Sequence, residues 1–342
     1  MDTLTHIVLG ACTGEAIAGK RFGKKALLIG AFANTLPDID VISGLWLDTD
    51  DSLLAHRGFT HSFAFVLLAA TVLAFLLRRW KGSESVSFKF WFSFLAFEIF
   101  LHILIDAFNA YGTGWFEPFN HYRVSFDTIF VADPFYTVWL LLAFIALLFL
   151  ATGSTSRPWW TRFGLGISTL YFMFCIVNKV KTATDIKDIL HKQHVSFQTH
   201  FTTPAPLNNW LWYTVAGNDS GYYVGYYSVF DSQKEIDLHY FPKNELLLKP
   251  FSTQEDVRHL VRFSKGLYTV EKYHDTLVFN DLRFGQVVGW YDPGEKFVFH
   301  YFLQQKEDNK LVVQRSRFAK WNFTVIKSLI RRIEGNETRC LK

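Results

Sequence analysis

Cysteine is scarce in this chain. Its 342 residues include only Cys12, Cys175 and Cys340, and no CxxC pair occurs. That excludes a cysteine-based zinc finger and a disulfide framework. A strong charge of one sign is also missing: the formal balance is +4 and spread along the chain. No basic nucleic-acid footprint follows from it, so nucleic acid is not expected as a partner. The opening MDTLTHIVLG carries an acid and a histidine where a secretory leader has basic residues, and no cleavable leader is expected. There is neither an internal repeat nor a low-complexity tract.

Apolar and aromatic residues are abundant. Half of the chain is apolar and 18% is aromatic, with 36 Phe and 11 Trp. The distribution is uneven, with the apolar runs before residue 184 and most of the charge after it. The expectation is a helical membrane domain over 1–183 and a soluble α+β domain over 184–342. Four stretches, 62–78, 88–107, 129–151 and 163–180, approach the ~20 apolar residues that cross a bilayer. In the third, Asp133 and Pro134 set the start of the span after themselves. Two shorter pieces, 6–19 and 25–36, are joined by KRFGKK and read as a helical hairpin packed among the longer helices.

The links alternate in character. KRFGKK, RRWKGSESVSFK and the segment around Arg157 and Arg162 are basic, and an alternating topology puts all three on one face. The other face collects His6, PDID, HRGFTHS, the end of LHILID and the loop 108–128. The positive-inside tendency then makes the basic links cytoplasmic and the histidine-carboxylate face external. Lys179, Lys181 and Lys187 run against this assignment. The protein partner set is open; the lipid bilayer is the one partner the sequence names.

Beyond residue 184 the pattern is that of strands. WLWYTVAGNDSGYYVGYYSVF reads as two aromatic strands about an Asn-Asp-Ser-Gly turn. TQEDVRHLVRF reads as a short helix with Val257, Leu260 and Val261 at helical spacing. LYTVEKYHDTLVFN and KFVFHYFLQQKEDNKLVVQRS read as hairpins, and WNFTVIKSLIRRIEG as an amphipathic helix. The domain would follow the last span onto the face that bears the histidines.

Metal-ligand chemistry gathers on that face. The patches are His6, then Asp38 and Asp40, then His56 and His61, then His102 and Asp106, with His121, Asp127 and Asp133 beyond. Imidazole with carboxylate suits zinc or another divalent transition metal. His102 and Asp106 are four apart on a helix and share one face. His56 and His61 are five apart and do not, so His56 belongs to the incoming loop. Pro37 ends the preceding helix and leaves Asp38 and Asp40 at a break. Arg57, an always-charged fork, suits a phosphate or a developing oxyanion; a salt bridge to Asp38 or Asp40 is its structural alternative. Glu15 falls on the opposite helical face to His6 and is expected to pair with a basic residue near 20–25.

Together MDTLTHIVLG, LPDID, HRGFTHS and HILIDAFNAYGTGWFEPF resemble the YdjM/DUF457-type membrane-bound metal-dependent hydrolases, over roughly residues 1–180. TPAPLNNWLWYTV and NDLRFG look like the C-terminal portion of long members. The resemblance points to His6, Asp38, Asp40, His56, Arg57, His61, His102 and Asp106. It implies kinship with zinc-dependent phospholipase C and the S1/P1 nucleases through the His-x-x-x-Asp of HILID. The later histidine and glutamate ligands of those soluble enzymes have no clear counterpart here. The reading is a bacterial inner-membrane hydrolase of a phosphoester in a lipid or other surface substrate, using one or two divalent ions, zinc first. His6, Asp38, Asp40, His61, His102 and Asp106 would bind metal. Arg57, His56 and Asp40 would serve catalysis. An ion transporter, or a scaffold with a structural metal, is the alternative.

Overall fold

The first helix is fixed at both ends by local chemistry. Asp2 caps α1 (Thr3–Phe22) by accepting from the Thr5 amide at 3.1 Å, and Gly23, with φ 56°, ends it. Lys20 and Arg21 occupy its last turn, where cations meet the negative end of the helix dipole. These coordinates, a computed structural model, describe residues 1–80, 86–303 and 321–335.

α2 (Lys25–Thr35) folds back on α1 and continues as a 3-10 segment, Leu36–Leu45, with Pro37 at its start. The two helices are packed backbone to backbone. A Cβ added at Gly10, Gly14 or Gly30 would run into the main chain of the facing helix. Such small-residue seams let helices pack closely where lipid removes the hydrophobic driving force between them. The expected hairpin is present, but both arms are longer than the apolar pieces 6–19 and 25–36. Lys25–Leu45 is 21 residues long and apolar enough to cross a membrane.

Short α3 (Thr49–Ala55) and a 3-10 turn, Phe59–His61, lead to α4 (Phe63–Arg78), capped by Ser62, which accepts from the Phe65 amide. α5 (Phe88–Asp106) is capped by Ser87, and α6 (Pro134–Phe149) by Asp133 with Pro134 at its first position. α7 (Arg157–Lys192) runs for 36 residues, well past the expected span of 163–180. No Gly or Pro interrupts it beyond Gly166, so the polar turns after residue 180 extend the helix. Among the described residues, three helices are long and apolar enough to span a bilayer, or four if the pair broken at Ser62 counts as one.

The chain divides into two units: Met1–Trp46 with Ala55–Ile176, and Leu47–Leu54 with the chain from Val177 onward. In the first unit α1, α2, α4 and α5 enclose one apolar cluster, with Trp91, Phe94 and Ile99 fully buried. Glu15 lies in this unit too, its side chain 8% exposed. Its carboxylate accepts from Arg157 Nε at 2.8 Å and Nη2 at 2.6 Å, so its partner is Arg157 and not a residue of 20–25. The basic residues of that loop face outward, while Arg157 comes to Glu15 by tertiary packing.

The second unit is α+β. Strands β1 (Thr199–Pro204), β2 (Leu211–Gly217), β3 (Gly221–Ser228) and β4 (His239–Pro242) form an antiparallel sheet in that order. Asn218 makes the β2–β3 turn by accepting from the amides of Ser220 and Gly221. β5 (Tyr268–Tyr273), β6 (Thr276–Gln286) and β7 (Phe297–Phe302) form a second sheet. The return strand expected after residue 303 lies outside the described residues. α8 (Glu255–Phe263) buries Val257 and Leu260. His259 on α8 meets Asp50 at 2.9 Å and Asp51 at 3.1 Å, which ties the segment 47–54 into this unit. α9 (Phe323–Glu334) is amphipathic, buries Val325 and Leu329, and pairs Arg332 with Asp231 at 2.7 Å.

Candidate metal centre

The centre lies in the first unit and is built on α5. The helical repeat of 3.6 residues puts Glu98, His102 and Asp106 in one stripe, and all three are fully buried. The 3-10 segment after α2 brings Asp38 to this stripe, and the turn before α4 brings His61. Four donor atoms meet: Asp38 Oδ1, His61 Nε2, His102 Nε2 and Asp106 Oδ2. The His61 nitrogen is 3.6 Å from Asp38 and 3.5 Å from Asp106. The His102 nitrogen is 3.5 Å from Asp38 and 3.7 Å from Asp106. The two nitrogens are 3.0 Å apart.

These separations fit an ion. Tetrahedral zinc with ligands at about 2.1 Å has donor–donor edges of about 3.4 Å. Asp106 Oδ2 is buried and makes no hydrogen bond; the Arg57 guanidinium lies 3.2 Å away, and the oxygen keeps a lone pair for a bound cation. Two imidazoles with two carboxylates is a donor set for a divalent transition metal.

Asp40 has a different place. It is turned from the four donors and gathers the loop that carries the histidines. Oδ2 accepts from the Arg57 amide at 2.9 Å and the Thr60 hydroxyl at 2.6 Å, and lies 3.3 Å from His61 Nδ1. Oδ1 is 2.8 Å from His56 Nδ1. A carboxylate beside Nδ1 keeps the proton there and leaves Nε2 free to bind metal, the usual outer-shell arrangement. Asp38 and Asp40 are two positions apart, and on a 3-10 turn they diverge. Of the four histidines at the centre His56 is the most open, its side chain 32% exposed.

His6 reaches the same carboxylate from α1. Its Nε2 is 3.1 Å from Asp106 Oδ1 and its ring stacks on His102 at 3.7 Å. The Met1 amine also contacts Asp106 Oδ1. Arg57 is buried in the centre. Its Nε is 3.2 Å from Asp106 Oδ2, Nη1 donates to Asn109 at 2.7 Å and Nη2 to the Met1 carbonyl at 3.3 Å. The guanidinium stands 4.9 Å from the Tyr111 ring centroid. Arg57 has φ 61°, a left-handed backbone that costs a side-chain residue about 1–2 kcal/mol. The Asp40 carboxylate, the Arg123 bond to the His56 carbonyl at 2.7 Å and the Gly114 amide bond to the Arg57 carbonyl at 2.8 Å hold it. Such strain, held by its surroundings, gathers at functional sites.

His121, Asp127 and Asp133 are not part of the group. His121 pairs with Glu117 at 2.8 Å on an exposed loop. Asp127 accepts from Ser125. Asp133 caps α6 and accepts from Tyr171 at 2.9 Å. Missing from the sequence reading were Asn34, Glu98, Asn109 and Met1. Glu98 carried a signal: it is the one acid between Phe88 and Leu104, and a lone acid in an apolar helix marks function by default.

Residues 1–182 match the family described as YdjM inner membrane protein. An uncharacterized protein of Bacillus subtilis, YfhP, is 27% identical over 200 residues, 56% of this chain and 59% of YfhP. The inner membrane protein YbcI of Escherichia coli is 30% identical over 122 residues, 35% of this chain and 69% of YbcI. The matched part is thus about three fifths of YfhP. No solved structure matches. By the match over more than half its length, the chain belongs to the YdjM inner membrane protein family.

Proposed function

Starting from a YdjM-family membrane protein with this centre, we propose a metal-dependent hydrolase that cleaves a phosphoester of a lipid or other membrane-surface substrate. The observation that carries the reading is the set of half-buried Asp38 with buried His61, His102 and Asp106, whose donor atoms all lie within 4.8 Å of one another. These residues would hold the ion, with His6 on the second oxygen of Asp106. When bound, a divalent ion supplies Lewis acidity toward a phosphoryl oxygen and a water nucleophile near neutral pH. Zinc suits the donor set best.

The protein's own groups have distinct parts. Asp40 holds His61 and His56 by their Nδ1 atoms. His56, the open histidine, is placed to exchange a proton with substrate or leaving group. Arg57 adds a fixed positive charge beside Asp106. Its bond to the Met1 carbonyl, at 3.3 Å, is the long one, and giving it up would turn one edge of the fork to a phosphate oxygen. Asp38, 14% exposed, is the ligand at the open side, where substrate would enter. By the basic links the centre lies on the outer face of the inner membrane.

A structural metal is the second reading, because four protein donors by themselves close a tetrahedron, as structural zinc sites do. Elemental analysis of the purified protein in detergent, followed by a screen of phosphodiesters and lipid phosphates, separates the two. Turnover that a chelator abolishes and zinc restores supports the hydrolase. Tightly held metal without turnover, and with unfolding on chelation, supports the structural role. Absence of metal after zinc reconstitution overturns both.

A further inference from the structure

We infer that Asn34, held by Glu98, is a positioning residue that sets the tautomer of His6. The inference rests on the metal reading above and adds two residues to it. Asn34 and Glu98 are both fully buried. Asn34 Nδ2 donates to the Glu98 backbone carbonyl at 3.0 Å and to Glu98 Oε2 at 3.2 Å. Thr13 donates to the same carboxyl oxygen at 2.8 Å. Asn34 Oδ1 lies 3.3 Å from His6 Nδ1.

Donor and acceptor chemistry leaves one consistent arrangement. A backbone carbonyl only accepts, so the amide nitrogen of Asn34 must face it. That turns the amide oxygen, also an acceptor, toward His6. His6 Nδ1 must then carry the ring proton. In the neutral imidazole Nε2 is left with its lone pair, 3.1 Å from an oxygen of Asp106. The Met1 amine meets that same oxygen, so this corner of Asp106 already draws a cation, and an Nε2 lone pair turned to it suits His6 as a metal ligand. Glu98 lies one helical turn before His102 on α5, so the same helix that supplies two ligands also anchors the group that orients a third. The one acid in the apolar run before His102 thereby gains a part in the centre. Outer-shell partners of this kind set ring orientation, and their loss costs about 10–100-fold in metal affinity.

Cobalt(II) titration of the full-length protein in detergent tests the inference, with visible absorption as the signature of the ligand set. Asn34→Leu removes all three hydrogen bonds and should weaken cobalt binding by about 10–100-fold and alter the absorption bands. Glu98→Gln keeps an amide oxygen and the backbone carbonyl as acceptors for Asn34 Nδ2 and leaves the Asn34 oxygen toward His6. It should bind close to wild type. The imidazole 15N shifts of His6, assigned by their loss in His6→Gln, should report Nδ1 as the protonated nitrogen of metal-loaded wild type. An Asn34→Leu protein with unchanged affinity and spectrum overturns the inference, as does a Glu98→Gln protein as weak as Asn34→Leu. If Asn34→Leu does not fold, Glu98→Gln and the 15N shifts decide, and protonated Nε2 overturns it. Wild-type protein that takes up no cobalt overturns the metal reading instead, and the 15N shifts of that protein still decide the part of Asn34.

Discussion

His61 and His102 face each other through their Nε2 atoms at 3.0 Å. They come from different helices, 41 residues apart. The proton on His61 is drawn to Nδ1 by Asp40, so its Nε2 offers a lone pair toward His102 and toward the two carboxylates. One ion can satisfy all four groups.

Removing two of the four should empty the centre without unfolding the membrane unit. His102→Ala/Asp106→Ala is expected to insert and purify as wild type, yet to hold less than about a tenth of the wild-type metal, since a site left with two protein ligands loses several kcal/mol of binding. Elemental analysis beside wild type checks this. Full metal content in the double variant would refute the ligand assignment.

Asp40→Asn should behave otherwise. Asp40 orients His56 and His61 without joining the four donors, so metal affinity should fall by about 10–100-fold rather than vanish. An amide also offers weaker support to the Arg57 amide and the Thr60 hydroxyl. Competition with a chromophoric chelator measures the affinity. Equal loss in Asp40→Asn and Asp38→Asn would place both carboxylates on the ion.

The α1–α2 seam can be tested by adding one methyl group. Gly30→Ala places a Cβ against the Gly10 carbonyl and should destabilise the hairpin by about 1–3 kcal/mol, as overpacking does. Because His6 and Asn34 stand on the two arms, metal affinity should fall too. Gly166→Ala, where a Cβ meets nothing within 4 Å, is the control and should be neutral or slightly stabilising. Thermal unfolding in detergent compares them.

The second unit has its own pH dependence. Burial, with Lys187 and Lys179 nearby, pushes His200 down to about 4. Its folded pKa is below the unfolded value near 6.5, so the unfolded chain binds the extra proton. The stability it permits is full above about pH 6.5 and falls as pH drops toward 4. Thermal unfolding followed by the β-sheet signal should show that decline in wild type and a shallower one in His200→Gln. An identical slope in both would rule out His200 as its source.

Much of the site was legible before any fold was known. The period of an α-helix fixes directions within one helix, and that alone put His102 and Asp106 on a common face. Pro37 marked the break that carries Asp38 and Asp40, and the mismatch of five residues separated His56 from His61. Asp133 and Pro134 put the start of the third span after themselves, one residue past the Pro134 where α6 begins. The full length of α7 was not legible because its last turns are polar, and an apolar run marks only the part of a helix that meets lipid.

What the sequence by itself determined is therefore local: ligand types, helix ends, the membrane-length runs, and the aromatic hairpin about Asn218. Tertiary structure decided which of two neighbouring aspartates faces the centre, that Arg57 is buried against Asp106, and that Glu15 meets Arg157 from 142 residues away. It also joined His6 to Asn34 across the glycine seam. Those pairings depend on how closely two helices approach and how they are rotated against each other. Side-chain volumes along the whole interface set that approach, and the spacing of residues within one helix does not contain it.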